Sequence, residues 1–139
     1  MIVLDTNVLS EMMRPAPDPV VTEWLSARPA TSLFTTTITQ AEILYGLQLL
    51  TAANRRSRLA TAAQEMFAID FAGRVLSFDQ AAAQAYAEIA VARRRAGRPI
   101  AQFDAQIAAI ARSRDAAVAT RNVPDFEVCG IGVIDPWQA

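Results

Sequence analysis

The chain has 139 residues, 53% of them hydrophobic, a net charge of −1, and a basic complement made of arginine alone, with no histidine and no lysine. That is long and apolar enough for one packed core and argues against disorder. It excludes Ser-His-Asp catalysis, imidazole-ligated zinc, a P-loop lysine and Schiff-base chemistry, so any reaction must run on carboxylates, hydroxyls, amides, arginine and hard metal ions.

In chain order, Ile2–Leu4 reads as a buried strand running directly into Asp5. Asn7–Met13 reads as a short helix with Thr6 as its N-cap. The Pro15–Pro19 stretch ends it, and Pro19 suits the first turn of a second helix through Trp24 and Leu25. Ser32–Thr35 reads as a strand, followed by helices over Thr39–Leu50 and Arg55–Phe67. A short strand over Val75–Ser77 leads to a long helix, Asp79–Ala96, stopped by Gly97 and Pro99. Gln102–Ser113 is a helix, and Ala117–Ala119 and Gly132–Ile134 are the last strands. Strands alternating with helices predict an α/β doubly wound sandwich, a parallel sheet covered on both faces, over residues 1–139 as a single domain. Ligands of such sheets bind beyond the carboxyl ends of the strands, where Asp5 falls.

No apolar run approaches the roughly 18 residues of a membrane span. The first residues lack the basic lead of a signal peptide. Cys129 stands alone, so a cytoplasmic location is expected.

Several polar residues fall where apolar ones are expected. Glu42 lies on a stripe with Ile38, Ala41, Tyr45 and Leu49, and Gly46 one turn on would permit close packing. Asp104 shares a face with Ile107, Ala108 and Ala111, in the first turn of its helix. The strand Ala117–Ala119 ends in Thr120, Arg121 and Asn122, with Asp125 just beyond. Each residue has a plain structural reading: Asp5 as a cap, Glu42 as the partner of a buried arginine, Asp104 as a charge on the helix dipole, Asn122 and Asp125 as turn formers. Taken together, the acids in a chain with no lysine or histidine favour a hard divalent cation as counter-charge. Mg²⁺ takes oxygen ligands at about 2.0–2.1 Å and keeps some of its waters. The runs Arg93–Arg95 with Arg98, and Arg55-Arg56 with Arg58, read as solvated helix faces or as a nucleic-acid patch. Trp24 and Phe34 read as core, and Cys129 as a small edge residue.

Four segments, "MIVLDTNVLSE", "TTTITQAEILYGL", "IAQFDAQIAAIA" and "VATRNVPDF", together resemble the PIN domain, and in particular the VapC-like toxins of bacterial toxin–antitoxin pairs. The resemblance spans nearly the whole chain. It implies a PIN-like three-layer sandwich with a central parallel sheet of about five short strands. It also implies a Mg²⁺- or Mn²⁺-dependent ribonuclease. Asp5, Glu42 and Asp104 match the family's acids, while Asn122 stands where many members have aspartate. The resemblance thus implies Asp5 and Asp104 as metal ligands, Glu42 acting through water or orienting the nucleophile, and Thr6, Asn7, Thr120, Asn122 and Asp125 supporting them. It further implies an RNA substrate, a cognate antitoxin, a homodimer and a higher assembly with that antitoxin. A basic residue of the antitoxin would enter the acidic site, and its apolar residues would lie between the helices Asn7–Met13 and Thr39–Leu50. Haloacid-dehalogenase phosphatases and receiver domains fail on the missing lysine. The remaining alternative is a catalytically weak PIN-like module that only binds RNA or a partner, and Asn122 is the feature that favours it.

Overall fold

A computed structural model describes residues 1–139. Five short strands, β1 (Ile2–Leu4), β2 (Leu33–Thr36), β3 (Val75–Leu76), β4 (Ala117–Ala119) and β5 (Val133–Ile134), form one sheet in the order β3-β2-β1-β4-β5. Every pairing is parallel. The central strand β1 has β2 on one side and β4 on the other, so the chain order reverses at β1. This is the switch point at which doubly wound sheets open a crevice beyond the strand ends.

The six helices are α1 (Thr6–Met12), α2 (Pro19–Ser26), α3 (Thr37–Gln48), α4 (Ala53–Glu65), α5 (Gln80–Arg95) and α6 (Gln102–Ser113). Successive strand residues point to opposite faces, and this sorts the core into two halves. Val3 and Val118 join Ile89, Ile107 and Phe126 under α5 and α6. Leu4 and Ala119 join Val8, Trp24, Ile43 and Phe67 under α1 to α4. The result is the expected sandwich of helices, sheet and helices. No helix is long and apolar enough to cross a membrane.

The expected elements are all present, with shifts at their ends. Asp5, not Thr6, is the N-cap of α1, because its carboxylate reaches the Thr6 N–H at 2.8 Å. Helix α3 starts two residues before Thr39, capped by the Thr36 hydroxyl at 3.1 Å from the Thr39 nitrogen. Helix α4 continues into a wider π-type turn over Met66–Asp70.

Two readings are corrected. The face of α3 that carries Ala41, Tyr45 and Leu49 is exposed, with Tyr45 68% and Leu49 63% accessible, while Thr39, Ile43 and Leu47 face the core. Apolar periodicity misled here because the true inward face begins with a threonine. Gly46 likewise faces open space, since a Cβ built there meets nothing within 4 Å.

The arginine run of α5 is not uniformly solvated. Arg94 and Arg95 are exposed, but Arg93 is only 5% accessible. Its guanidinium donates to the carbonyls of Arg98 (2.6 Å), Asp125 (2.9 Å) and Glu127 (2.8 Å), tying the end of α5 to the loop after β4. Removing it leaves three carbonyls without their charged donor. Arg93→Met should therefore lower stability by about 2–4 kcal/mol, read as a drop in the urea midpoint at unchanged slope, whereas Arg94→Ala should shift it by no more than about 0.5 kcal/mol. Equal effects from the two substitutions would contradict this account.

Candidate metal centre

The parallel register places Leu4 beside Ala119, so the next residues, Asp5 and Thr120, emerge side by side at the strand ends. The Asp5 N–H still donates to the Ala119 carbonyl at 2.9 Å, and the Thr120 N–H to Ile134 at 2.8 Å. Asp5 is 5% accessible. One oxygen of its carboxylate accepts from the Thr6 N–H at 2.8 Å. The other accepts from the Thr120 hydroxyl at 2.8 Å and, more weakly, from the Asn7 amide at 3.4 Å. Asn7 also donates to the Thr120 hydroxyl oxygen at 3.2 Å, and so does the Asn122 N–H at 3.1 Å. Thr120 is thus the hub between β1, α1 and the loop after β4.

Thr6 links this hub to α3. Its hydroxyl donates to Glu42 Oε1 at 2.8 Å and lies 3.1 Å from the Thr39 hydroxyl. Glu42 is half-buried, and this contact rather than an apolar stripe fixes its carboxylate. Asp104 occupies the first turn of α6 and is also half-buried.

Asp5, Glu42, Asp104, Thr6, Asn7 and Asn122 all line one cleft of about 530 Å³. Asp125 does not line it but is near enough to act on its charges. Thr120 is fully buried behind Asp5. The expected residues are therefore brought together, with Thr120 and Asp125 set back from the cleft surface. Five further residues line it: Ser10, Glu11, Arg14, Arg121 and Trp137. The first three had a signal in the sequence, since Thr6, Ser10 and Arg14 recur every four residues and so do Asn7 and Glu11, which makes one polar face of α1 continued by Arg14 just past its end.

The electrostatics follow from this crowding. Burial pushes the Asp5 carboxyl up, opposed by its hydrogen bonds from Thr120 and Thr6, with the Asp125 charge adding to the rise. Burial also raises Glu42, opposed by Thr6 and assisted by Asp5. Asp104 is pushed up to about 6, first by burial and then by Asp5, Asp125 and Glu42, with Arg93 pulling the other way. None of the three lies in an ion pair. The chain's salt bridges are Arg14–Glu11, Arg98–Glu127, Arg112–Glu88 and Arg114–Asp79, so the reading of Glu42 as the partner of a buried arginine is set aside.

Unpaired acids of raised pKa that face one polar cleft are the donor set a hard cation requires. The acids do not close into a three-ligand cluster. Mg²⁺ binds through one or two protein carboxylates and keeps several waters.

Fold and cleft together are those of a PIN domain, and the chain belongs to that family: the PIN-domain family model matches residues 2–126. The chain is similar to the plasmid stability protein StbB of Pseudomonas syringae pv. tomato, at 42% identity over 100% of both chains. It is 38% identical to VapC ribonuclease Y4jK of Sinorhizobium fredii, over 99% of both. It is 36% identical to toxin FitB of Neisseria gonorrhoeae, again over 99% of both. A crystal structure of FitAcB from the same organism superposes with a TM-score of 0.94 at 36% identity, covering 100% of each chain.

The raised Asp104 carboxyl has a consequence for stability. An unfolded aspartate titrates near 3.9. Between there and about 6 the folded chain holds more protons than the unfolded one, so the metal-free fold loses stability as pH rises through that window. Melts in chelator should show Asp104→Asn above wild type at pH 7.5, with the gap closing toward pH 4. An Asp104→Asn chain that melts below wild type at pH 7.5 would mean that the carboxylate stabilises the fold.

Proposed function

We propose that this chain is a divalent-metal-dependent ribonuclease, the toxin of a toxin–antitoxin pair, and that Asp5, Glu42 and Asp104 form its active site with Mg²⁺ or Mn²⁺. The observation that carries the reading is the set of three unpaired acids of raised pKa lining one cleft at the sheet's switch point. Asp5 and Asp104 would hold the ion. When bound, the ion polarises the phosphoryl oxygens and makes a water nucleophilic near neutral pH.

The chain's own groups supply the rest. Thr120, Asn7 and the Thr6 N–H hold the Asp5 carboxylate at a set angle, as groups behind a metal ligand do. Thr6 occupies one oxygen of Glu42 and leaves the other without a protein donor, on a residue that lines the cleft. Glu42 is thereby placed to take the proton of the water that attacks phosphorus as the P–O bond to the leaving nucleotide breaks. Asn122 lines the cleft with an amide, which orients a water or substrate oxygen but carries no charge. Thr120 and Asp125 belong to the same reading, the first as a support and the second as a neighbouring charge.

The reading includes a cytoplasmic setting, a homodimer and a cognate antitoxin. The exposed Leu44, Tyr45 and Leu49 on α3 support an association surface. A second groove of about 550 Å³ runs from the acidic cleft between α1, α3 and α4, floored by Met13, Leu47, Leu50 and Leu59 and rimmed by Arg55 and Arg58. It shares Thr6, Ser10, Arg14 and Glu42 with the cleft, so a partner segment lying in it reaches the acids directly. An arginine of that segment would pair with the carboxylates in place of the metal, and its acidic residues would meet the groove's rim.

The purified chain should cleave single-stranded RNA with Mg²⁺ or Mn²⁺ and stop when the metal is chelated. Glu42→Gln should lower kcat by about 10²–10⁴-fold. Asp5→Asn should abolish both cleavage and metal binding by calorimetry. RNA that is bound yet left intact under both metals would favour the binding-module reading instead.

A further inference from the structure

The cleft lining holds two arginines, Arg14 and Arg121. Arg14 is engaged, with its guanidinium 3.2 Å from Glu11. Arg121 takes part in none of the chain's ion pairs. Its guanidinium instead lies over the indole of Trp137, 5.0 Å from the ring centroid. Two other arginines stack on aromatic rings, and both are tied down by their N–H groups. Arg28 over Trp24 donates to the Trp24 carbonyl at 2.6 Å. Arg74 over Phe71 donates to the Ala30 carbonyl at 2.6 Å. Arg121 alone is stacked with its N–H groups uncommitted.

Both members of the pair are held. The Arg121 backbone N–H donates to the Asn7 side-chain oxygen at 3.3 Å, which ties its Cα to the residue that braces Asp5. Trp137 sits in a tight turn whose N–H is capped by Asp135 at 2.9 Å, and it packs against the core half under α1 to α4. A stacked guanidinium keeps its donors in the ring-parallel plane, free to grip an anion from the edge. It stands in a cleft whose floor is negative, where a polyanionic substrate is otherwise repelled.

We propose that Arg121 is the phosphate clamp of this cleft, binding an RNA phosphate beside the scissile one, and that Trp137 is the positioning residue that presents it. The inference rests on the ribonuclease reading above. It explains why a tryptophan two residues from the last one is folded back onto the site, and why this arginine is left without a protein acceptor.

The test is initial-rate kinetics of the full chain on a single-stranded RNA at several salt concentrations, with Mn²⁺ titrations of each variant alongside. Arg121→Ala should raise KM about tenfold or more with little change in kcat. It should also reduce the magnitude of the salt slope of log(1/KM) by about 0.7, one phosphate contact on a single strand. Arg121→Lys should restore the slope but not the full KM. Trp137→Leu should raise KM several-fold with the slope kept, Trp137→Phe should recover most of it, and Trp137→Leu should add nothing in an Arg121→Ala background. Mn²⁺ affinity should stay at the wild-type value throughout. Wild-type KM and slope in Arg121→Ala would overturn the clamp while leaving the metal-dependent nuclease in place. Additive Trp137 and Arg121 effects would overturn the positioning role. A wild-type chain that cleaves no RNA would overturn the ribonuclease reading, and the clamp with it.

Discussion

The hydrogen bond from the Thr120 hydroxyl to Asp5 is the contact on which the site depends. A carboxylate almost out of water and without a cation is costly unless donors surround it. Asp5 meets that demand with the Thr6 N–H and the Asn7 amide, which follow it directly, and with the Thr120 hydroxyl from a segment far away in sequence. Only a parallel pairing of β1 with β4 puts residues 5 and 120 at adjacent strand ends. Sheet order and site geometry are therefore one constraint. The two core halves on either side of the sheet hold both strands rigid, which keeps the carboxylate in place.

From Asp5 the network spreads outward. Thr6 carries it to Glu42 and Thr39, Asn7 to Arg121, and Thr120 to Asn122. These donors orient the acids but do not neutralise them. Asp5, Glu42 and Asp104 all keep raised pKa values, and Asp104 feels the other two as well as Asp125. Such a site is held against its own repulsion by the fold around it, a trade of stability for function. A divalent ion relieves the repulsion, and so would a cationic side chain from a partner. On the proposed reading, that shared electrostatics would let one cleft serve both activity and inhibition.

How much of this was legible in the sequence depends on the range of the contacts. Asp5 announced itself, because an apolar strand running into an acid at a helix start is a local pattern. Asp104 was legible for the same reason, as an acid in a first turn. Glu42 does line the cleft, but for a different cause than the one read from the sequence. The stripe of Tyr45 and Leu49 faces outward, and Glu42 is fixed instead by Thr6, 36 residues away in sequence. The N-cap of α1 moved by one residue because Asp5 serves as a cap as well as a site residue. Arg93 passed for a surface charge within an arginine run, since only the fold reveals the three carbonyls it satisfies. Trp137 had no local signal at all. Its place depends on the last turn packing against α2, a long-range contact that no periodicity encodes.

The central claim is that the acids at the sheet's switch point hold a divalent metal, with Asp5 and Asp104 as its protein ligands. A crystal soaked in Mn²⁺ and measured at the manganese absorption edge tests it directly. The account predicts an anomalous peak between the Asp5 and Asp104 carboxylates, with waters completing the coordination and no peak in an Asp5→Asn crystal treated alike. A fully soaked wild-type crystal with the cleft open to solvent and no anomalous density beside Asp5 and Asp104 would contradict it.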